Sequence, residues 1–337
     1  MAQTLSVHRL SLQQEGVPLS TKSSSLSRRS FLQLASAAYA GSAVEPAFAR
    51  ASRNVDGRKS LPISLGKVTW VGENETIDAV VRSVADLGLY VCQIGFERSS
   101  LDVVRPLREA SAKYGVRVTS ISEHNPGKRV FNFYEGPLTI GIIPSATRQV
   151  RIKALKTSAD IAAAAGVPAI HTHCGFIPED PNNPIYPQAV AAVKEVATYC
   201  EERGIFLLCE TGQETPITLL RLIDDVNTGN VFVNLDVANL IVYGKGNPVD
   251  AMEVIGPLVR GIHAKDGRFP TNPRELGLET PIGEGKVDFP KFFEQLRSVN
   301  YRGSMMIERE VGNEEERKRD VLKSKVFLQN LIVQTYG

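Results

Sequence analysis

PLVRGIHAKDGRFP, residues 257–270, begins as an apolar run and ends in charge. His263, Lys265, Asp266 and Arg268 crowd the end of a segment that otherwise reads as a buried strand. In a parallel β/α barrel, the loops at the C-terminal ends of the strands build the site, so a strand there is expected to stop in polar residues. If 259–264 is such a strand, its neighbours should end the same way.

From residue 66 onward, short apolar runs alternate with longer amphipathic ones. The runs at 66–71, 90–96, 116–121, 168–173, 205–211, 231–237, 259–264 and 303–309 predict buried parallel strands, which lack a polar face. Stretches at 75–87, 101–114, 146–165, 186–203, 214–226, 248–256, 288–299 and 313–334 predict helices. Gly115, Gly166 and Gly204 stand where three of those helices should end, as C-caps. Eight strand–helix pairs predict an α/β fold, a single-domain (β/α)8 TIM barrel over 66–337, with a short segment at 50–65 before it. A doubly wound open sheet is the competing arrangement. No GxGxxG follows the first strand, so a dinucleotide site has no support.

The neighbouring strands pass the test. Strand five ends in Glu210, strand six in Asp236, strand seven in His263 and strand eight in Glu308, with spacings of 26, 27 and 45 residues. Four successive strands thus deliver one metal-competent side chain each to one end of the barrel. Burying three carboxylates with an imidazole is costly through lost solvation and like-charge repulsion, and a divalent cation removes that cost. Three oxygen donors and one nitrogen suit Mn²⁺, Mg²⁺, Co²⁺ or Zn²⁺. His171 and His173 end strand four two residues apart, on one face, where they contact substrate hydroxyls, act as a general base or pack beside a loop. Lys265 and Arg268 are candidates for substrate contact, against the plainer reading that they pair with Asp266 and Glu284; Glu284 itself reads as a loop-ordering residue. His124 is a weaker candidate. Long connections at 122–145, 174–185 and 265–287 all follow strands and so lie at the same end. Phe131, Phe133 and Tyr134 in the first of them either pack on a sugar ring or anchor the loop.

Composition narrows the class. The 337 residues carry a net charge of +2, which announces no nucleic-acid partner. Residues 1–49 are Ser- and Ala-rich, and Arg28-Arg29 precede Phe31-Leu32 and a modest apolar run ending in AFA. That pattern resembles a twin-arginine export signal, too short and small-sided for a stable membrane span, and predicts a periplasmic protein. Without those residues the chain has 35 basic and 35 acidic side chains, so export is argued from the motif alone. Cys92, Cys174, Cys200 and Cys209 show no CxxC spacing, and no disulfide pair is readable from them.

Over about 66–310 the chain resembles the xylose isomerase-like TIM-barrel family of sugar isomerases and epimerases. The marks are the Glu, Asp, His, Glu series, HAKD after strand seven and PIGEGKVDF before the penultimate helix. The resemblance implies one divalent metal, Mn²⁺ first, on Glu210, Asp236, His263 and Glu308, with Glu210 and Glu308 as the acid–base pair. Ketose epimerases of that family often carry His where this chain has Asn239, and Glu where it has Pro216; Asn239 is a candidate substrate contact in place of that His. The expected activity is a metal-dependent sugar isomerase or epimerase. A lyase or hydratase acting on 3-keto-glycosides through the same enolate and a non-catalytic carbohydrate-binding barrel are the alternatives. The expected partner is a small sugar or glycoside, with a homo-oligomer open.

Overall fold

The structure is a computed structural model and describes residues 61–337. The expected export signal and most of the segment before the barrel lie outside the described residues.

Eight parallel strands close into a barrel: β1 (Ser64–Val71), β2 (Val91–Phe96), β3 (Arg117–Ser122), β4 (Ala169–His173), β5 (Phe206–Glu210), β6 (Val231–Asp236), β7 (Val259–Ala264) and β8 (Ser304–Ile307). Each pairs with its neighbours in sequence, and β1 pairs with β8. The helices between them are α1 (Ile77–Asp86), α2 (Val104–Tyr114), α3 (Arg148–Ala165), α4 (Tyr186–Glu201), α5 (Pro216–Val226), α6 (Pro248–Ile255) and α7 (Phe289–Ser298), followed by α8 (Glu314–Tyr336). The expected alternation therefore holds throughout. β1 starts at Ser64, inside the stretch expected to precede the barrel, because Ile63 and Leu65 are already buried in the core.

Local chemistry sets the helix ends. Thr76, Thr215, Asn247 and Asp288 cap α1, α5, α6 and α7 with side-chain oxygens. Asn313 and Glu316 form a reciprocal capping box on α8. Gly115 and Gly166 end α2 and α3 at φ of 65° and 75°, where a side chain would be strained. The apolar faces of the helices and the outer faces of the strands form one continuous core, to which α8 contributes Val321, Leu328, Leu331 and Ile332. Among the described residues no helix is long and apolar enough to cross a membrane.

Two irregularities matter for the site. The register between β2 and β3 slips at Cys92/Gln93, and that between β6 and β7 slips at Val233/Asn234, where Asn234 comes to face Gly261. A slip of this kind re-aims the side chains beyond it. Both slips adjoin a polar residue, Gln93 or Asn234, that points inside the barrel.

The long connections carry structure of their own. The 122–145 connection contains a short helix, Gly136–Thr139. Arg151 of α3, fully buried, donates to the Pro126, Lys128 and Gly141 carbonyls and pins that connection down. Asp266–Gly267 pairs antiparallel with Glu279–Thr280 inside 265–287. An unexpected four-residue helix, Asn239–Val242, follows β6.

Candidate metal centre

The ends of β5 to β8 converge. Glu210, Asp236, His263 and Glu308 each offer one ligand atom, and those atoms all lie within 4.8 Å of one another. Glu308 lies one residue past β8, but its N–H still bonds the Ala264 carbonyl at 3.0 Å, which continues the ladder. His171 joins a second such group with Glu210 and His263.

His263 is oriented from below. Its Nε2 meets Gln93 Oε1, and Gln93 Nε2 donates to Asn234 Oδ1 at 2.9 Å. An amide oxygen facing Nε2 makes Nε2 the N–H of the ring, which directs Nδ1 to the ligand cluster; an outer partner of this kind commonly fixes a metal-binding histidine. Gly261 makes room for the arrangement, since a Cβ there would lie 2.3 Å from Asn234 Oδ1. Nδ1 lies 3.2 Å from both Glu210 Oε1 and Glu308 Oε2, yet neither oxygen is aligned to accept a hydrogen bond from it.

Asp236 divides its two oxygens. Oδ1 accepts the Ala238 and Asn239 N–H groups at 2.8 and 2.9 Å and starts the short helix 239–242. Oδ2 is buried and has no hydrogen-bond partner among the described residues, lying 3.9 Å from both His263 Nδ1 and Lys265 Nζ. An unpartnered carboxylate oxygen and an unpartnered imidazole nitrogen, side by side and flanked by two glutamates, are a donor set that a divalent cation satisfies.

The electrostatics agree. Burial would raise the Glu210 carboxyl, but His173 and His263 pull it well below its ordinary value. Burial would likewise raise Glu308, and Lys265 and His263 override it. Burial would depress His263, but the Glu308 and Glu210 carboxylates hold it well above the ordinary imidazole range. Asp236 is raised by burial, because Lys265 and His263 at 3.9 Å do not offset it. The cluster thus has one acid more than its own cations balance.

The residues of the opening stretch now have separate places. His263 faces the cluster. Lys265, only 5% exposed, donates to Glu308 Oε2 at 3.2 Å and to Glu310, with Asp236 and Glu279 at 3.9 Å. Its ammonium is committed to carboxylates. Asp266 accepts four backbone N–H groups, from Gly267, Gly283, Gly285 and Val287, and so organises the 265–287 connection. That corrects the expectation for Glu284, which is exposed and leaves the ordering to Asp266. Arg268 is exposed at the rim.

His171 Nδ1 bonds Ser120 Oγ at 2.7 Å, and burial lowers its pKa to about 3, so it stands neutral with Nε2 3.9 Å from Glu210. His173 Nε2 is 3.4 Å from Glu210 Oε1, and its ring meets Phe131 edge-on. His124 stacks on Trp70 at 4.1 Å, and Gly95 admits that indole, since a Cβ there would lie 1.7 Å from it. Asn239 binds Asp236 through its backbone N–H. The four cysteines are free thiols, with the Cys174 and Cys209 sulfurs 3.1 Å apart. Gln93, Asn234, Trp70 and Gly261 were not singled out in the sequence. The available signal is that Gln93 is the lone polar residue of β2 and that Asn234 is the one polar residue of β6 besides the ligand Asp236.

Comparison with known proteins gives the family. The model of the xylose isomerase-like TIM barrel matches residues 81–331. A crystal structure of a xylose isomerase domain protein from Planctomyces limnophilus is 30% identical, covers 79% of this chain and 96% of that one, and superposes with a TM-score of 0.73. Escherichia coli SgbU, provisionally assigned as an L-ribulose-5-phosphate 3-epimerase, is 31% identical over 99 residues, 28% of this chain and 33% of SgbU. The structure of an L-ribulose 3-epimerase, at 15% identity and a TM-score of 0.62 over 80% of this chain and 95% of that one, shares the fold. The chain spans between 25% and 55% of the length of the curated relatives it matches. The chain belongs to the xylose isomerase-like TIM-barrel family.

Proposed function

We propose that this member of the xylose isomerase-like TIM-barrel family is a divalent-metal-dependent sugar isomerase or epimerase that moves a proton next to a carbonyl. The observation carrying this reading is the pair of unpartnered ligand atoms, His263 Nδ1 and Asp236 Oδ2, set between two glutamates. Glu210, Asp236, His263 and Glu308 would hold the ion, with Mn²⁺ the first candidate and Mg²⁺, Co²⁺ or Zn²⁺ behind it. When bound, the ion supplies the charge that acidifies a proton beside a carbonyl and steadies the charge left behind.

The chain's own residues do the rest. Glu210 and Glu308 come from strands separated by β6 and β7, and each places an oxygen 3.2 Å from His263 Nδ1. They approach the centre from two sides, so one can take a proton and the other return it. His173 beside Glu210 and Lys265 beside Glu308 favour the ionised form, which suits whichever of the two serves as base. One carboxylate starts ionised and takes the proton, the other starts protonated and gives its own from the opposite side, and each turnover leaves the pair with its protonation states exchanged.

The substrate class is an uncharged sugar or glycoside. Lys265 is committed to carboxylates, and Arg309 to Glu279 and Asp320, so neither is available to a phosphate. The likeness to SgbU argues for a sugar phosphate instead, and the same experiment separates the two. Export by the twin-arginine route to the periplasm, where phosphorylated sugars are scarce, is part of the proposal and favours the uncharged class.

The test is incubation of metal-loaded protein in D₂O with free sugars, sugar phosphates and 3-keto-glycosides. Deuterium beside a carbonyl in an isomer of unchanged mass is expected, and Asp236→Asn should lose both bound metal and exchange. Two fragments would move the protein to the lyase reading. Sugar binding without bound metal would leave only a carbohydrate-binding barrel.

A further inference from the structure

Two polar side chains beside the candidate metal centre are buried without a hydrogen-bond partner among the described residues. Both amide atoms of Gln213 and the hydroxyl of Tyr243 are unpaired, in residues 1% and 4% exposed. Native interiors rarely leave such groups unsatisfied, and each one calls for a reason.

Their position supplies one. Gln213 lies three residues past Glu210, on the turn between β5 and α5. Tyr243 follows the short helix that Asp236 starts. Gly212 lets these two segments close on each other: a Cβ there would lie 3.1 Å from Asn239 Cβ and 3.4 Å from the Tyr243 ring. The Tyr243 ring meets Phe176 edge-on at 6.0 Å. Its phenol stands in the field of Lys265, Glu210 and Glu310, and the Gln213 amide lies close enough to influence it but not in hydrogen-bond geometry. The pair therefore faces the ligand end of the barrel.

We propose that Gln213 and Tyr243 are specificity-determining residues that bind a hydroxyl of an uncharged sugar beside the metal centre. This deepens the proposed function and rests on it. The Gln213 amide offers a donor and an acceptor, and the phenol is both, which matches a hydroxyl that gives one hydrogen bond and takes others. Neither group carries charge, and a phosphate placed there would meet the Glu210 and Glu310 carboxylates. A purely structural polar pair would be bonded to each other or to backbone. This pair has no well-formed bond of either kind, which costs stability in the free protein and returns it when a sugar hydroxyl bridges the two.

The experiment uses the Mn²⁺-loaded full chain, with D-allulose and methyl 3-keto-β-D-glucopyranoside as probes. Deuterium uptake gives KM and kcat, and thermal unfolding without sugar gives Tm. In Gln213→Leu and in Tyr243→Phe, KM for the exchanging probe should rise about 3- to 10-fold, the loss of a neutral hydrogen bond, with kcat held within about 2-fold. Mn²⁺ affinity should not change. The sugar-free Tm should equal or exceed that of the parent, because an unpaired buried polar group has been replaced by an apolar one. An unchanged KM in both variants, or a fall in Tm marking a structural role, would overturn the inference while leaving the proposed function standing. A parent that binds no Mn²⁺ and exchanges neither probe would sink that function as well.

Discussion

At the floor of the barrel Phe206 and Phe232 meet edge-on at 5.4 Å, with Arg260 4.3 Å above the Phe232 ring. Four residues further along the same two strands stand Glu210 and Asp236. Alternation puts both pairs on the inner face, so the same two strands plug one end of the barrel with hydrocarbon and crowd the other with acid. The middle of the barrel grades between them, from Ala169, Leu208 and Phe232 up to His171, Gln93 and Asn234. Apolar packing closes the floor, and the candidate metal ligands gather at the mouth. A change at one end should therefore leave the property of the other end intact.

That separation is most sharply tested at the floor. Phe232→Ala should cost about 3–5 kcal/mol of unfolding free energy through the cavity it leaves. Denaturant unfolding would measure the loss, and metal affinity in the surviving folded protein should stay at the parent value. A large drop in metal affinity would break the comparison. Gln93→Leu makes the opposite cut. The ring of His263 loses the partner of its Nε2, and metal affinity should fall roughly 10- to 100-fold in titration, the usual loss for an outer partner.

The smallest effect is a pH dependence at the mouth. Glu214 is 2% exposed, and burial pushes its pKa up to about 8. The folded state thus holds a proton that the unfolded state releases near pH 4.5. Its contribution is fully present below that pH and is lost as pH rises towards 8. Glu214→Gln should remove this loss, so the variant gains about 1–2 kcal/mol over the parent between pH 6 and pH 8, read by denaturant titration at each pH.

The strand ends were legible in the sequence for a physical reason. A buried parallel strand is apolar throughout, so Glu210, Asp236, His263 and Glu308 each interrupt a run where only a site excuses the interruption. The supports of His263 were not legible. Gln93 and Asn234 are 141 residues apart, and their bond depends on two register slips and on the bare Cα of Gly261. Lys265 resembled a substrate contact because its partners Glu279 and Glu310 come from different loops and meet it only in the fold. The helix at 239–242 escaped notice because its start is set by Asp236, a side chain already assigned to the site.

The last seam of the barrel joins Ser64 to Ser304, so the first barrel strand to be made waits for the last one. Bringing those ends together costs about 5 kcal/mol of chain entropy for a flexible loop of that length. Until β8 emerges, β1 and β7 each present a raw edge, and exposed edges recruit other chains. A nascent chain stalled or truncated before β8 should therefore accumulate as aggregate rather than as a smaller stable domain.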